Sequence, residues 1–206
     1  MELTPRRLIV VVALAAVAGY WYFHPDHPRA SRPTGGETII AFGDSLVAGR
    51  GATSGHDFVS VLSARLGVPI INAGLSGDTT RSALARLDSA VLARNPRVVV
   101  VLLGGNDLLR RIPRHETFTN LETIVSRIRQ HGAAVVLAGV DLDLVGNEAG
   151  RGYEAVARRM SAGLVPDILD GIIGHADRMA DPIHPNDRGY AMIAERLEPV
   201  LRDLLP

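Results

Sequence analysis

The 206-residue sequence predicts a three-layer α/β/α sandwich built on a mostly parallel sheet. Three features predict it. Short apolar runs alternate with amphipathic stretches from Glu37 onward. Two of the runs, "RVVVVLLG" (97–104) and "AAVVLAGV" (133–140), are apolar at odd and even positions alike, as in strands covered on both faces. The runs are joined by stretches of helical spacing rather than by tight turns, so successive strands run parallel.

In order, "TIIAF" (38–42) reads as the first strand. "HDFVSVLSARLG" (56–67) carries Phe58, Leu62 and Leu66 on one helical face and stops at Gly67. "VPIINA" (68–73) is the second strand, and "DTTRSALARLDSAVLARN" (78–95) a helix with a threonine start, apolar Leu84, Leu87 and Val91, and a stop at Asn95-Pro96. The run 97–104 is the central strand, 116–132 a helix ended by Gly132, and 133–140 the fourth strand. "YEAVARRMSAGL" (153–164) reads as helix, "VPDILDGI" (165–172) as a weaker strand, and 186–205 as the closing helix.

Upstream, Arg6 and Arg7 precede an uncharged apolar run, Leu8 to Phe23, so residues 1–23 read as an N-terminal membrane anchor or a signal peptide. Ala16-Val17-Ala18 fits a cleavage site, whereas Tyr20-Trp21-Tyr22-Phe23 fits the interfacial belt of an uncleaved anchor. Both readings export the chain. It is then anchored in the inner membrane facing the periplasm, or periplasmic or secreted once cut. The proline-rich stretch 24–36 reads as a linker, which leaves 37–206 as one domain.

Composition removes several chemistries. The 22 basic and 22 acidic residues cancel, so no net field draws nucleic acid to the chain. Every basic residue is arginine, which excludes a P-loop lysine and Schiff-base catalysis. Cysteine is absent, excluding thiol catalysis, disulfides and cysteine-ligated zinc. No metal or cofactor is expected, and nothing demands more than a monomer.

In parallel α/β sheets, ligands bind beyond the carboxyl ends of the strands. Four polar, glycine-bearing clusters fall there: "GDS" after the first strand, "NAGLSGDT" after the second, "GGND" after the third and "DPIHP" before the last helix. Ser45, if nucleophilic, needs a base, and the base needs a group to fix its tautomer. Among the seven histidines, His184 has Asp181 three residues before it on a loop stiffened by Pro182 and Pro185. That spacing lets Asp181 reach Nδ1 and leaves Nε2 for the serine. The same residues also fit a turn aspartate and a histidine capping the last helix. Donors for a developing oxyanion would be the backbone N–H groups of Ser45 and Gly77 and the side-chain amide of Asn106. Gly77 could equally be a turn glycine. Asn106 could equally cap the next helix, although Asp107 could take that role and leave Asn106 free.

Read together, "FGDSLVAG", "NAGLSGDTTRSALARL", "LLGGNDLL" and "DPIHPN" resemble, in order, the four sequence blocks of the SGNH hydrolase (GDSL-lipase) superfamily. The similarity spans nearly all of 38–203 and is greatest to its arylesterase and multifunctional thioesterase/lysophospholipase branch. The resemblance implies a flavodoxin-like sheet of five parallel strands. It implies Ser45 as nucleophile, His184 as base held by Asp181, and Ser45, Gly77 and Asn106 as the oxyanion hole. Asp44, part of the same block, is read as support for the nucleophile loop through backbone hydrogen bonds. The expected substrate is a small-molecule acyl ester or thioester, or a lysophospholipid, cleaved through an acyl-enzyme without cofactor. Alternatives are a carbohydrate O-acetylesterase of the cell envelope and a non-catalytic envelope protein that binds acylated ligands. Arg50 and Arg81, which follow the Ser45 and Gly77 loops, either meet an anionic substrate group or are solvated. The loop "DLDLVGNEAGRG" (141–152) shapes a pocket in this reading but gives no clue to the substrate.

Overall fold

The computed structural model describes residues 28–141 and 148–205. Five parallel strands, β1 (Thr38–Gly43), β2 (Ile70–Gly74), β3 (Pro96–Leu102), β4 (Ala134–Ala138) and β5 (Gly163–Val165), form one sheet in the order β2-β1-β3-β4-β5. The helices are α1 (Phe58–Leu66), α2 (Thr80–Ala90), α3 (Gly105–Leu109), α4 (Arg114–Gln130), α5 (Glu148–Met160) and α6 (Asp187–Arg202).

Strand alternation divides the core into two layers. Ile39, Ala41, Val98, Val100, Leu102, Val136 and Ala138 pack under α1 and α6, against Phe58, Leu62, Tyr190, Ile193 and Leu197. Ile40, Phe42, Val99, Val101, Val135 and Leu137 pack under α2, α4 and α5, against Leu87, Leu121, Ile124, Val125 and Val156. Because β3 is buried on both faces, its run is apolar without period. The strand order reverses between β1 and β3, and the loops that follow these two strands carry Ser45 and Asn106. That is where an open α/β sheet leaves a crevice at its carboxyl edge.

Helix ends follow local chemistry. Asp57 caps α1 by accepting from the Ser60 N–H at 3.0 Å. Thr79 and Ser82 form a reciprocal cap on α2, and Asn186 accepts from the Arg188 and Gly189 N–H groups at the start of α6.

The structure shifts two predicted elements. The helix placed at 153–164 ends at Met160, and the strand placed at 165–172 is β5 at Gly163–Val165. Pro166 has no N–H to extend the ladder, and Asp167 accepts from the Leu169 N–H, turning the chain. The structure adds the short helix α3, which the sequence does not predict. In the stretch read as a linker, residues 28–36 form a strap across the base of the sheet. Pro28 O accepts from Leu164 N–H at 3.1 Å, Ser31 N–H donates to Ser161 O at 3.1 Å, and Thr34 N–H donates to Gly132 O at 2.8 Å. A cavity of about 550 Å³ lies between this strap and the last turns of α6, at the opposite end from the carboxyl edge. The segment 1–23, the beginning of the linker and residues 142–147 of the 141–152 loop lie outside the described residues. Among the described residues, no helix is long and apolar enough to cross a membrane.

Candidate active site

Ser45 lies two residues beyond β1 in a tight turn in which Ala48 N–H donates to Asp44 O and Arg50 N–H to Ser45 O, both at 3.0 Å. The Ser45 side chain is half-buried and meets the loop 177–187 from the other side of the rim. His184 Nε2 stands 3.0 Å from Ser45 Oγ, across 139 residues of sequence. His184 Nδ1 stands 2.7 Å from Asp181 Oδ2. A carboxylate only accepts, so Nδ1 carries the proton and Nε2 is the acceptor for the serine hydroxyl.

Asp181 is fixed by more than the imidazole. Its Oδ1 accepts from the backbone N–H groups of Ile183 and His184, each at 2.9 Å. The Ile183 N–H and the imidazole hold its carboxyl down to about 2, and with its side chain 41% exposed to water it is ionised at neutral pH. His184 caps no helix: Asn186 does so, and the buried imidazole faces Ser45.

Gly77 adopts φ +84°, a left-handed turn that favours glycine. Neither its N–H nor that of Ser45 donates to any described residue. Asn106 is held rather than free. Its Nδ2 donates to Asp78 O at 2.9 Å and to Asp44 Oδ2 at 3.2 Å. Asp107 does not cap its own helix either. It is buried beneath α2, accepting from Thr80 N–H at 2.9 Å and Thr80 Oγ–H at 2.5 Å, and so satisfies an orphan donor at that helix start.

Asp44 accepts from Leu46 N–H at 2.9 Å, which braces the turn that presents Ser45, and its other oxygen faces Asn106. Burial pushes its carboxyl up to about 6, against the Leu46 bond, with the nearby Asp78 charge adding to the rise. Of the two arginines near the rim, Arg81 pairs with Glu116 at 2.7 Å. Arg50 is exposed, and its carbonyl accepts from the Tyr190 hydroxyl at 2.7 Å.

Several supports escaped sequence reasoning. Gly51, at φ +95°, packs so closely on the histidine loop that a Cβ there would lie 2.5 Å from Pro185 O and 3.3 Å from His184 Cβ. Thr53 donates to Asp187 through its N–H and its hydroxyl, both at 2.7 Å, and ties the Ser45 loop to the start of α6. Arg86 reaches from α2 to the ends of β1 and β2. Among these residues Gly51 alone is marked in the sequence, and a glycine without known partners specifies nothing.

Hydroxyl, imidazole and carboxylate in line, beside two unengaged backbone N–H groups and an oriented amide, form the constellation that acyl transfer requires. Known proteins with related sequences carry the corresponding activities. Residues 41–192 match the GDSL-like lipase/acylhydrolase family. Esterase TesA of Pseudomonas aeruginosa is 34% identical, over 82% of this chain and 90% of that protein. A solved structure of TesA superposes with a TM-score of 0.77, covering 82% of this chain and all of that one at 34% identity. An arylesterase of Vibrio mimicus is 31% identical over 77% of this chain and 85% of its own length. Thioesterase 1/protease 1/lysophospholipase L1 of Escherichia coli strain K12 is 28% identical over 84% and 88%. The chain belongs to the GDSL-like lipase/acylhydrolase family, that of the SGNH hydrolases, and is an ester hydrolase.

Proposed function

We propose that the chain hydrolyses carboxylic esters through an acyl-enzyme on Ser45, with His184 as general base and acid and Asp181 as the group that orients it. The observation that carries this reading is the relay itself: Ser45 Oγ to His184 Nε2 at 3.0 Å and His184 Nδ1 to Asp181 Oδ2 at 2.7 Å.

Ser45 Oγ attacks the ester carbonyl as its proton passes to His184 Nε2. The imidazolium is stabilised by the ionised Asp181, whose carboxyl near 2 stays charged throughout. Charge collecting on the carbonyl oxygen meets the Ser45 and Gly77 N–H groups. Asn106 joins them by turning one amide hydrogen from its longer bond to Asp44 while Asp78 O keeps the other. His184 then protonates the leaving alcohol, and water activated by the same nitrogen releases the acid.

The arylesterase and thioesterase/lysophospholipase relatives support small acyl esters, aryl esters, thioesters and lysophospholipids as the substrate range. Arg6 and Arg7 ahead of the apolar run Leu8 to Phe23 support an exported location, which cell fractionation of the full chain checks.

Ser45→Ala is the decisive variant. Hydrolysis of a p-nitrophenyl acyl ester should fall by roughly 10⁴-fold or more, with circular dichroism and melting temperature unchanged. Wild-type turnover in the folded variant would remove Ser45 from the mechanism.

A further inference from the structure

Beneath the site lies a cation that no step of the mechanism uses. Arg86 sits in the middle of α2, its side chain 21% exposed, and turns inward. Its Nη2 donates to Gly43 O at 2.9 Å and to Ala73 O at 3.0 Å, the carbonyls at the carboxyl ends of β1 and β2. Its Nε donates to Asp78 Oδ2 at 2.5 Å, and its guanidinium carbon lies 4.5 Å from the centre of the Phe42 ring. Asp78 is 4% exposed; its other carboxylate oxygen accepts from Ser82 Oγ–H at 2.8 Å.

Two of the three groups gripped by Arg86 stand within two residues of a proposed oxyanion donor, and the third, Ala73 O, belongs to the strand end that precedes the Gly77 loop. Gly43 is two residues before Ser45. Asp78 follows Gly77 directly, and the Asp78 carbonyl holds Asn106 at 2.9 Å. One planar fork thus ties the ends of β1 and β2 to Asp78, whose carbonyl carries the link on to Asn106 after β3. We propose that Arg86 is a positioning residue for the oxyanion hole: with Asp78 it forms a clamp that holds the Gly77 N–H and the Asn106 amide in register with the Ser45 loop. Lysine could not span these acceptors, because its ammonium is a compact point charge without the fixed fork. The clamp rests on the reading of Ser45, Gly77 and Asn106 given above.

The clamp acts on transition-state geometry rather than on substrate affinity, so it predicts a split between kinetic constants. Arg86→Lys and Arg86→Ala are assayed with a p-nitrophenyl acyl ester, and turnover is normalised to sites counted by stoichiometric phosphonate labelling of Ser45. Per competent site, kcat should fall on the order of 10²-fold while KM changes by less than about threefold. Millimolar guanidinium should restore part of the kcat of Arg86→Ala.

Asp78→Asn keeps the backbone carbonyl and the side-chain shape while weakening the grip, and carries the test if Arg86→Ala does not fold. It should lower kcat in the same way, and the double variant should be no slower than the slower single. Wild-type kcat per site in folded Arg86 variants, a rise in KM alone, or multiplicative losses in the double variant would overturn the clamp. Ser45→Ala, assayed alongside, separates the two ideas. If it is inactive while the Arg86 and Asp78 variants turn over normally, the clamp alone fails. If it is active, the nucleophile assignment fails first.

Discussion

The two ends of the sheet are built from different materials. At the carboxyl end stand all the buried polar side chains of the described residues: Asp44, Asp78, Thr79, Thr80, Asp107, Thr117 and His184. At the amino end the sheet is closed by the 28–36 strap, whose backbone pairs with the turns before β4 and β5, and by side chains such as Arg129. Burying polar groups is unfavourable unless each finds partners. Concentrating them at one end confines that liability to the place where a low-dielectric, preorganised environment strengthens catalysis. The contrast implies that substitutions at the carboxyl end change rate, or stability through charge, whereas substitutions at the strap change stability alone.

Asn106→Ala gives the largest expected effect after loss of the nucleophile. It removes one of the three donors proposed for the oxyanion and leaves the core untouched, so kcat should fall by roughly 10²- to 10³-fold. A stopped-flow or steady-state assay with an activated ester checks it. A loss of stability that matched the loss of rate would break the division between the two ends.

Which parts of this arrangement the sequence exposes follows from where the information resides. Strands β1, β3 and β4 are readable because double-sided burial leaves runs such as Val98 to Leu103 without polar interruption, whereas the half-buried edge strand β2 is marked only by its short apolar run around Ile70 and Ile71. Ser45, Asp181 and His184 are readable because few residue types perform proton transfer and the three occur beside glycine or proline after strands. β5 is misplaced by sequence because its three residues, Gly163–Val165, are outweighed by the longer turn that follows, in which Ile168, Leu169 and Ile172 are buried. Arg86 is hidden because an arginine in an amphipathic helix resembles a surface residue until the strand ends it reaches are in place. The strap is hidden because its hydrogen bonds are made by backbone atoms, which leave no side-chain pattern. For Asn106 the sequence leaves both a helix cap and a free amide open, because it does not show that Asp44 and the Asp78 carbonyl converge on that amide.

Asp44 sharpens the comparison through pH. Burial raises its carboxyl from 3.8 to about 6. Above pH 6 the folded protein therefore holds a carboxylate that the unfolded chain solvates better, a penalty on the order of 3 kcal/mol. As pH falls from about 6 towards 4, the folded state binds the proton first and that penalty is relieved. Asn at this position does not titrate. The stability difference between Asp44→Asn and the wild type should shift in favour of the variant as pH rises through 6 and level off above it, read from denaturant melts at pH 5 and pH 8. The exposed Asp181 runs the other way: its depressed carboxyl favours the fold above pH 4, and that contribution is lost as pH falls through about 2. A gap for Asp44→Asn that does not move with pH would mean that its charge is solvated and that the carboxyl end is less dry than its burial implies.

The smallest effect tests the other end. Arg129 Nη1 donates to Met160 O at 2.5 Å and Ser161 O at 2.6 Å, the carbonyls where α5 ends, and to Ser31 Oγ of the strap at 3.4 Å. Arg129→Ala leaves these acceptors to water, which reaches this half-buried site, so the loss should be about 1 kcal/mol. For a domain of this size that lowers the melting temperature by about 2–4 °C. Hydrogen exchange at the Ser31 and Thr34 amides should accelerate, because their bonds to Ser161 O and Gly132 O depend on the strap staying seated. The activity should be unchanged within about twofold, since the strap lies at the amino end of the sheet and the full length of the strands separates it from the carboxyl-edge crevice that holds Ser45. A drop in kcat at temperatures well below the melt would show that the sheet transmits strain from base to rim, and the two ends would have to be treated as one mechanical unit.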